Sequence, residues 1–257
     1  MVQEKQQTAF VSEIFSSAQG EGVHIGRRQL FVRLCGCHRN CLYCDTDFER
    51  KGTFNVEREP GSGVFEQVPN PISVNQLIKL LHELNRSAFA HDDLFITGGE
   101  PLLQADFLAE FLPEAHKQLN LPVHLETSGD LVVQFIKIAE HIDHVLMDIK
   151  LPSVTGESAT WEAHQRFMEK IGADEISATI KLVVSADTSE EDLAEAVELI
   201  TATETRAHVV LQPMTAAVKT DRIPTAKQVL TWQSQMASAL GHSVRVIPQC
   251  HKLMGLL

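Results

Sequence analysis

The sequence predicts an α/β protein built on an open, strongly curved parallel sheet, a partial (β/α)6 barrel. Three observations carry that expectation. Strand-like and helix-like segments alternate almost to the end of the chain, which implies parallel strands joined by helical crossovers. Six strand–helix units are followed by a final strand. Each unusual motif falls just after a predicted strand, and in parallel α/β folds that end of the sheet binds ligands.

The elements follow in order. The first strong strand is Leu30–Cys35. A polar stretch bearing Gly and Pro runs from about Arg50 to Pro71. It is too long for an ordinary strand–helix loop, so residues 50–72 read as an insertion, a lid or a mobile segment within a single domain spanning 1–257. Ser73 with Gln76 has the pattern of a capping box, and Val74, Leu77, Ile78 and Leu81 give the helix behind it one apolar face. Strand Leu94–Thr97, helix Gln104–Gln118, strand Val123–Thr127 and helix Leu131–His141 come next. Strand Val145–Ile149, helix Thr160–Ile171 and strand Thr179–Ser185 continue the pattern. Thr188 and Glu191 cap a helix ending near Ile200. Strand His208–Gln212, helix Thr225–Leu240 with Gly241 just past its end, and strand Ser243–Ile247 complete it.

The chain has 257 residues, long enough to bury a substantial core without disulfide staples. Its 22 basic and 34 acidic residues give a net charge of −12, which argues against a nucleic-acid groove. The polar N-terminus, Met1 to Phe10, lacks the apolar run of a signal peptide, and no stretch has the apolar length of a membrane span. The expectation is a soluble, cytoplasmic protein with neither nucleic acid nor membrane as partner. Five cysteines is an odd number, and three crowd into eight residues. In a cytosolic chain that suggests metal ligation rather than disulfides.

The crowded three are Cys37, Cys41 and Cys44, in the pattern C-x3-C-x2-C. Short spacings on a loop let several thiolates reach one inorganic core, and thiolate is the ligand that iron–sulfur clusters use. Three ligands for four irons leave one iron open to bind substrate. The same spacing also suits a structural zinc site completed by His38 or His251. Arg39, Asn40, Asp45 and Asp47 in and around the motif make three buried core cysteines a poor reading. Cys35 lies within the strand and reads as core packing; Cys250 reads as a non-ligand. The other strand ends carry Gly98-Gly99-Glu100-Pro101, Glu126-Thr127-Ser128-Gly129, Asp148-Ile149-Lys150, Gln212-Pro213-Met214 and Pro248-Gln249-Cys250-His251-Lys252.

C-x3-C-x2-C after one strand and a Gly-Gly-Glu-Pro motif after the next resemble the radical S-adenosylmethionine (radical SAM) superfamily. Over nearly the whole chain, Ala18-Gln19-Gly20-Glu21-Gly22, Gly26, Phe31, Arg33, Gly36-Cys37, Cys41, Cys44-Asp45-Thr46, Thr97 to Pro101, Glu126 to Gly129, Gln212-Pro213 and His251-Lys252 resemble the 7-carboxy-7-deazaguanine synthases. The resemblance implies a radical SAM lyase on a partial barrel. It implies conversion of 6-carboxy-5,6,7,8-tetrahydropterin to 7-carboxy-7-deazaguanine, through hydrogen abstraction by a 5′-deoxyadenosyl radical and ring contraction with loss of ammonia, on the way to 7-deazapurines and queuosine. The implied cofactors are a 4Fe–4S cluster, S-adenosylmethionine and Mg2+. The implied partners are the pterin, an electron donor such as flavodoxin, and a second copy of the chain.

The resemblance also assigns residues. Cys37, Cys41 and Cys44 hold the cluster and Thr46 the magnesium, a hard cation that prefers oxygen. Gly98, Gly99, Glu100, Ser128, Lys150 and Gln212 surround S-adenosylmethionine, the glycines because a Cβ would obstruct close backbone approach and Glu100 as acceptor from the methionine amino group. Arg33 suits the pterin carboxylate as a bidentate cation, and Glu21 suits its guanidine-like edge. Gln19, Thr97, His251 and the Leu257 carboxylate complete the substrate side, with residues 243–257 closing over the site. The chain departs from the family in having Cys250 where threonine is common, Leu257 at its end, and long segments at Arg50–Pro71 and Thr215–Pro224. Two other functions compete. A glycyl-radical activase shares the cysteine motif but has no need of Gln19–Gly22 or His251-Lys252; a zinc-stabilised binding module would need no open iron.

Overall fold

Apolar runs become central strands here because both of their faces find cover. The computed structural model describes residues 7–86, 90–203, 206–216 and 220–256. Its strands are β1 (Thr8–Ala9), β2 (Val11–Ala18), β3 (Arg28–Leu34), β4 (Thr53–Glu57), β5 (Phe65–Pro69), β6 (Ile72–Ser73), β7 (Asp93–Gly98), β8 (Val123–Thr127), β9 (His144–Ile149), β10 (Ser177–Val184), β11 (His208–Pro213) and β12 (Val244–Val246). The helices are α1 (Val74–Leu84), α2 (Ala105–Leu119), α3 (Val132–Ile136), α4 (Pro152–Thr155), α5 (Trp161–Ala173), α6 (Glu190–Ala202), α7 (Ala226–Leu240) and α8 (Cys250–Met254).

Ten strands form one sheet in the order β12-β11-β10-β9-β8-β7-β3-β2-β4-β5. From β3 to β12 every neighbouring pair is parallel. These seven are the strands expected from the sequence, laid side by side in chain order. The sheet stays open rather than closing into a barrel. Along β3, Leu30, Val32 and Leu34 join the helix-covered core, whereas Phe31 packs with Phe15, Phe95 and Leu146 in a second, smaller cluster on the other face. Each fully buried Leu or Phe contributes about 1.5–3 kcal/mol to folding.

The helices start and stop where local chemistry directs. Gln76 Oε1 accepts from the Ser73 backbone N–H at 3.1 Å and from its hydroxyl at 2.8 Å. Thr225 caps α7 by accepting from Gln228 N, and Gly241 ends it in a left-handed conformation, φ 70°. The cap of α6 is one residue later than expected. Ser189, not Thr188, accepts from Asp192 N, while the Thr188 hydroxyl accepts from Ser185 N. The expected helix 131–141 divides into α3 and a 3-10 turn at Ala139–His141.

Three features were not legible as elements. Strand β2 pairs antiparallel with β3 although half of its sequence, Val-Ser-Glu-Ile-Phe-Ser-Ser-Ala, is polar. Within 50–72, β4 and β5 form an antiparallel hairpin, and β4 runs parallel to β2, so this segment adds two strands to the sheet edge. The short α8 lies beyond the final strand.

At the amino ends of the parallel strands the interior is polar. Arg27 grips Asp93 through Nε at 2.7 Å and Nη2 at 3.0 Å. His24, His124 and His144 pack ring against ring at 4.3–5.1 Å. Burial pushes His124 down to about 4 and His144 to about 2, so both are neutral. Among the described residues, no helix is long and apolar enough to cross a membrane.

Candidate functional site

The cysteine loop leaves β3 and is pinned at several points. Gly36 N donates to Phe48 O at 2.7 Å, Leu42 N to Thr155 O at 3.1 Å, and Cys44 N to Cys41 O at 3.2 Å. The Arg39 N–H points at Cys37 Sγ, 3.4 Å away. The buried Arg39 guanidinium binds Asp130 Oδ2 at 2.7 and 3.1 Å, Thr160 Oγ1 at 2.7 Å and Glu157 Oε2 at 3.2 Å. It ties the loop to the end of β8 and the start of α5. His38 turns onto Asp130 as well, at 2.9 Å. Burial works against the Asp130 carboxylate, but hydrogen bonds from His38 and Ser128 and the charge of Arg39 hold its pKa well below the usual range.

Burial pushes the Cys41 thiol up to about 11 and raises that of Cys37. Bare thiols here keep their protons, and a bound metal would remove them outright. Among the described residues, no three His, Cys, Asp or Glu side chains converge tightly enough to chelate one metal ion. In a four-iron cluster each of the three thiolates takes a different iron.

The Gly-Gly-Glu-Pro turn lies hard against the exit of β3. Gly99 N donates to Leu34 O at 3.2 Å and Glu100 N to Gly36 O at 2.8 Å. A Cβ on Gly98 would meet Leu34 O at 2.2 Å, and one on Gly99 would meet Gly36 O at 2.3 Å. Both glycines line the cleft described below; Glu100 does not. Glu100 is 1% exposed. Its oxygens accept from Leu102 N at 3.1 Å, Thr127 Oγ1 at 2.8 Å, Ser128 N at 2.8 Å and Ser128 Oγ at 2.7 Å. Burial raises its pKa while those hydrogen bonds oppose the rise. The Glu100 oxygens, expected to meet the methionine amino group, have four donors from the protein. The carboxyl is consumed in bracing the β7 turn to the β8 turn.

Behind these turns lies a buried charge network. Lys181, 3% exposed on β10, places Nζ 2.6 Å from Glu21 Oε2, 2.7 Å from Glu126 Oε1 and 3.3 Å from Asp148 Oδ2. Burial opposes the ammonium, but Glu126, Glu21 and Asp148 hold its pKa well above the ordinary lysine value. Burial would raise the Glu21 carboxyl, yet Lys181, Gln249 and His251 bring it down to about 2. Gln249 Nε2 donates to Glu21 Oε1 at 2.9 Å, and Thr97 Oγ1 to Glu126 Oε2 at 2.9 Å. Lys150 donates to Asp148 Oδ2 at 2.8 Å and to the Tyr43 hydroxyl at 3.1 Å. Gln19, expected to contact substrate, spends its amide locally. Its Nε2 donates to Gln29 Oε1 and its Oε1 accepts from Glu21 N.

The rim is closed by distant parts of the chain. Arg33 Nε donates to Glu13 Oε1 at 2.7 Å, with the guanidinium over the Phe15 ring. Cys250 N donates to Gly20 O at 2.9 Å, so the His251 turn lies on Gly20, where a Cβ would strike His251 Nδ1 at 2.3 Å. Burial lowers the His251 pKa. Lys252 pairs with Asp45. Cys35 is buried and its thiol donates to Glu49 O at 3.2 Å, the packing role expected of it. Leu257 lies outside the described residues.

The cysteine loop, the glycine turn, the lysine-centred network and the rim all open onto one cleft of about 780 Å3. It is lined by Cys37, Cys41, Cys44, Thr46, Gly98, Gly99, Ser128, Lys150, Gln212, Gln19, Glu21, Arg33, Thr97 and His251, with Phe15, Phe31 and Phe95 among its apolar surfaces. Gln212 Oε1 and Asp148 Oδ1 are buried there without a hydrogen-bond partner among the described residues. Buried acceptors are rarely left so unless a ligand supplies the donor. Three soft thiol donors, a glycine cradle and two open acceptors fit an iron–sulfur cluster with a donor-bearing cofactor beside it.

Lys181, Glu126, Asp148, Gln249 and Arg39 belong to this site and were given no role from the sequence. The signal for Lys181 was present: it interrupts the apolar run Ile180-Lys181-Leu182-Val183-Val184 in a strand buried on both faces. Glu126, Asp148 and Gln249 stood inside motifs already noted. Arg39 gave no signal beyond its place between two cysteines.

A model of the radical SAM superfamily matches residues 32–200. With the open parallel sheet and the three-cysteine loop at its carboxyl end, that match makes the chain a radical SAM enzyme. The 7-carboxy-7-deazaguanine synthase of Geobacter sulfurreducens is 37% identical over 97% of this chain and 98% of its own. That of Methanopyrus kandleri is 31% identical over 96% and 94%. The chain belongs to the 7-carboxy-7-deazaguanine synthase family, radical SAM lyases of 7-deazapurine biosynthesis whose cofactors are a 4Fe–4S cluster, S-adenosylmethionine and Mg2+. The crystal structure of QueE from Escherichia coli superposes with a TM-score of 0.60 at 20% identity, covering 94% of each chain, which speaks for the fold.

Proposed function

We propose that this chain converts 6-carboxy-5,6,7,8-tetrahydropterin to 7-carboxy-7-deazaguanine with loss of ammonia. One observation carries the reading most: the three cysteine thiols and the Lys181-bound carboxylates open onto the same cleft. When bound, the cluster and S-adenosylmethionine supply one-electron chemistry that abstracts hydrogen from the substrate. The chain's own residues bind, orient and exclude water. Cys37, Cys41 and Cys44 hold the cluster. Gly98, Gly99, Ser128, Lys150 and Gln212 hold S-adenosylmethionine, with Gln212 Oε1 open for a donor. Thr46 supplies oxygen to Mg2+.

On the substrate side, Arg33 has part of its guanidinium free of Glu13 to meet a carboxylate. Glu21 stays ionised at all working pH values, which suits it to accept from the pterin's amino and ring N–H groups. His251 faces it, Thr97 holds the neighbouring Glu126, and Gln19 fixes the Glu21 backbone. An electron donor such as flavodoxin, a homodimeric assembly and a cytoplasmic setting complete the proposal on the strength of the family resemblance.

The test is anaerobic reconstitution followed by assay with the pterin, Mg2+ and a reductant. The expected results are about four irons per chain and a deazapurine product. Zinc in place of iron, or S-adenosylmethionine turnover only with a partner protein, would sink the reading.

A further inference from the structure

We propose that Lys181 is a positioning residue for substrate recognition, holding Glu21 and Glu126 as a fixed pair of acceptors for adjacent N–H donors of a flat bicyclic substrate. This rests on the function proposed above and deepens it.

The geometry is that of a single cation at the centre of an acceptor array. Lys181 Nζ has three protons and three carboxylate oxygens in reach, on the β2–β3 loop, β8 and β9. Each neighbouring carboxylate is fixed by a second donor: Gln249 on Glu21 and Thr97 on Glu126. A carboxylate offers about four acceptor sites, so both retain lone pairs. Both also line the cleft. Lys181 borders the cleft too, but it is only 3% exposed and its ammonium is turned onto the three acids, so it acts through them.

Electrostatics explain why the lysine is needed. Glu21, Glu126 and Asp148 gather within reach of one ammonium, and Lys150 also serves Asp148. Without Lys181, burial and like charge would drive a proton onto the group. A protonated Glu21 would present a donor where the substrate also presents donors. The groups facing Glu21 are Lys181 on β10, Glu126 on β8, Asp148 on β9, and Gln249 and His251 from the C-terminal segment. Of these, His251 has its pKa lowered by burial, and Glu21 opposes that fall.

The experiment measures calorimetric binding of 6-carboxy-5,6,7,8-tetrahydropterin to the reconstituted, unreduced enzyme with S-adenosylmethionine, from pH 5.5 to about 8.5. Wild type should bind with little pH dependence from this site, because Glu21 is ionised throughout. Lys181→Met should weaken binding about tenfold or more at pH 7. Its affinity should fall further as pH drops and recover as pH rises, while S-adenosylmethionine affinity and iron content hold. Lys181→Arg, which keeps the charge, should restore the wild-type pH profile. Should Lys181→Met not fold, Lys181→Gln is neutral and keeps two donors in the array, with the same pH-dependent loss expected. A neutral variant that binds like wild type, or that loses affinity equally at every pH, overturns the inference and leaves the proposed function standing. A wild type that binds no pterin overturns both.

Discussion

The two ends of the parallel strands are both polar inside, yet they are built to opposite rules. At the amino end Asp93 and its neighbours satisfy one another, although Ser17 Oγ, on the residue paired with Gln29, has no partner among the described residues. Arg27 and Asp93 share two hydrogen bonds, His124 Nε2 lies 3.2 Å from Asp93 Oδ1, and His144 bonds Ser177 and Thr179. At the carboxyl end, one lysine is shared among three acids and two buried acceptors are left open. A satisfied network stabilises; an unsatisfied one is held ready for a ligand. The difference separates a structural end from a functional end without reference to conservation.

The comparison can be broken or sharpened by substitution. The largest effect is expected at the functional end. Cys41→Ala should abolish turnover and the iron–sulfur absorbance, while circular dichroism shows a folded sheet, because the loop is held mainly by Arg39. Iron analysis checks it. Next is Glu100→Ala, which strands the Leu102 and Ser128 N–H groups and two hydroxyls. Unmet buried groups of this kind should cost about 3 kcal/mol or more, read as a fall in Tm, with Glu100→Gln costing less.

The structural end should show itself in pH dependence. His124 and His144 have folded pKa values below the unfolded value near 6.5. The unfolded chain therefore binds the proton first, and their contribution to stability is full above pH 6.5 and is lost as pH falls toward 4. Each contributes a slope of about 1.4 kcal/mol per pH unit in that window. His144→Gln should remove one such increment, which Tm measured between pH 5 and 7.5 would reveal. His124 remains, and His91 and His164, also brought down to about 4 by burial, add to the slope that is left. The smallest effect is expected on the exposed surface. Arg166→Gln breaks its pair with Glu162 and should leave Tm and activity unchanged.

Much of this site was legible because its chemistry is rare in a strand-end loop. Cysteine triplets, paired glycines and an arginine in an apolar strand stand out at any position. Other parts were hidden for physical reasons. Glu100 looked like a ligand group, and only its packing shows four internal donors around it. Strand β2 is hard to read because it lies between β3 and β4, with Glu13 and Phe15 lining the cleft and Ser16 Oγ bonded to His91 and Arg28. The hairpin β4–β5 reads as loop because an edge hairpin needs few apolar residues; Phe54 and Val56 alone are its buried hydrophobics.

By itself the sequence determined the seven parallel strands and their helices, since hydrophobic period and caps act within a few residues of each other. It also determined the three-thiol motif and which strand ends would carry chemistry. Tertiary structure decided what each polar group does there. Lys181 meets Glu21 across 160 positions of chain and Gln249 meets Glu21 across 228. Whether a carboxylate serves as brace or acceptor depends on donors that only the folded sheet brings within 3 Å, and no local pattern encodes that distance.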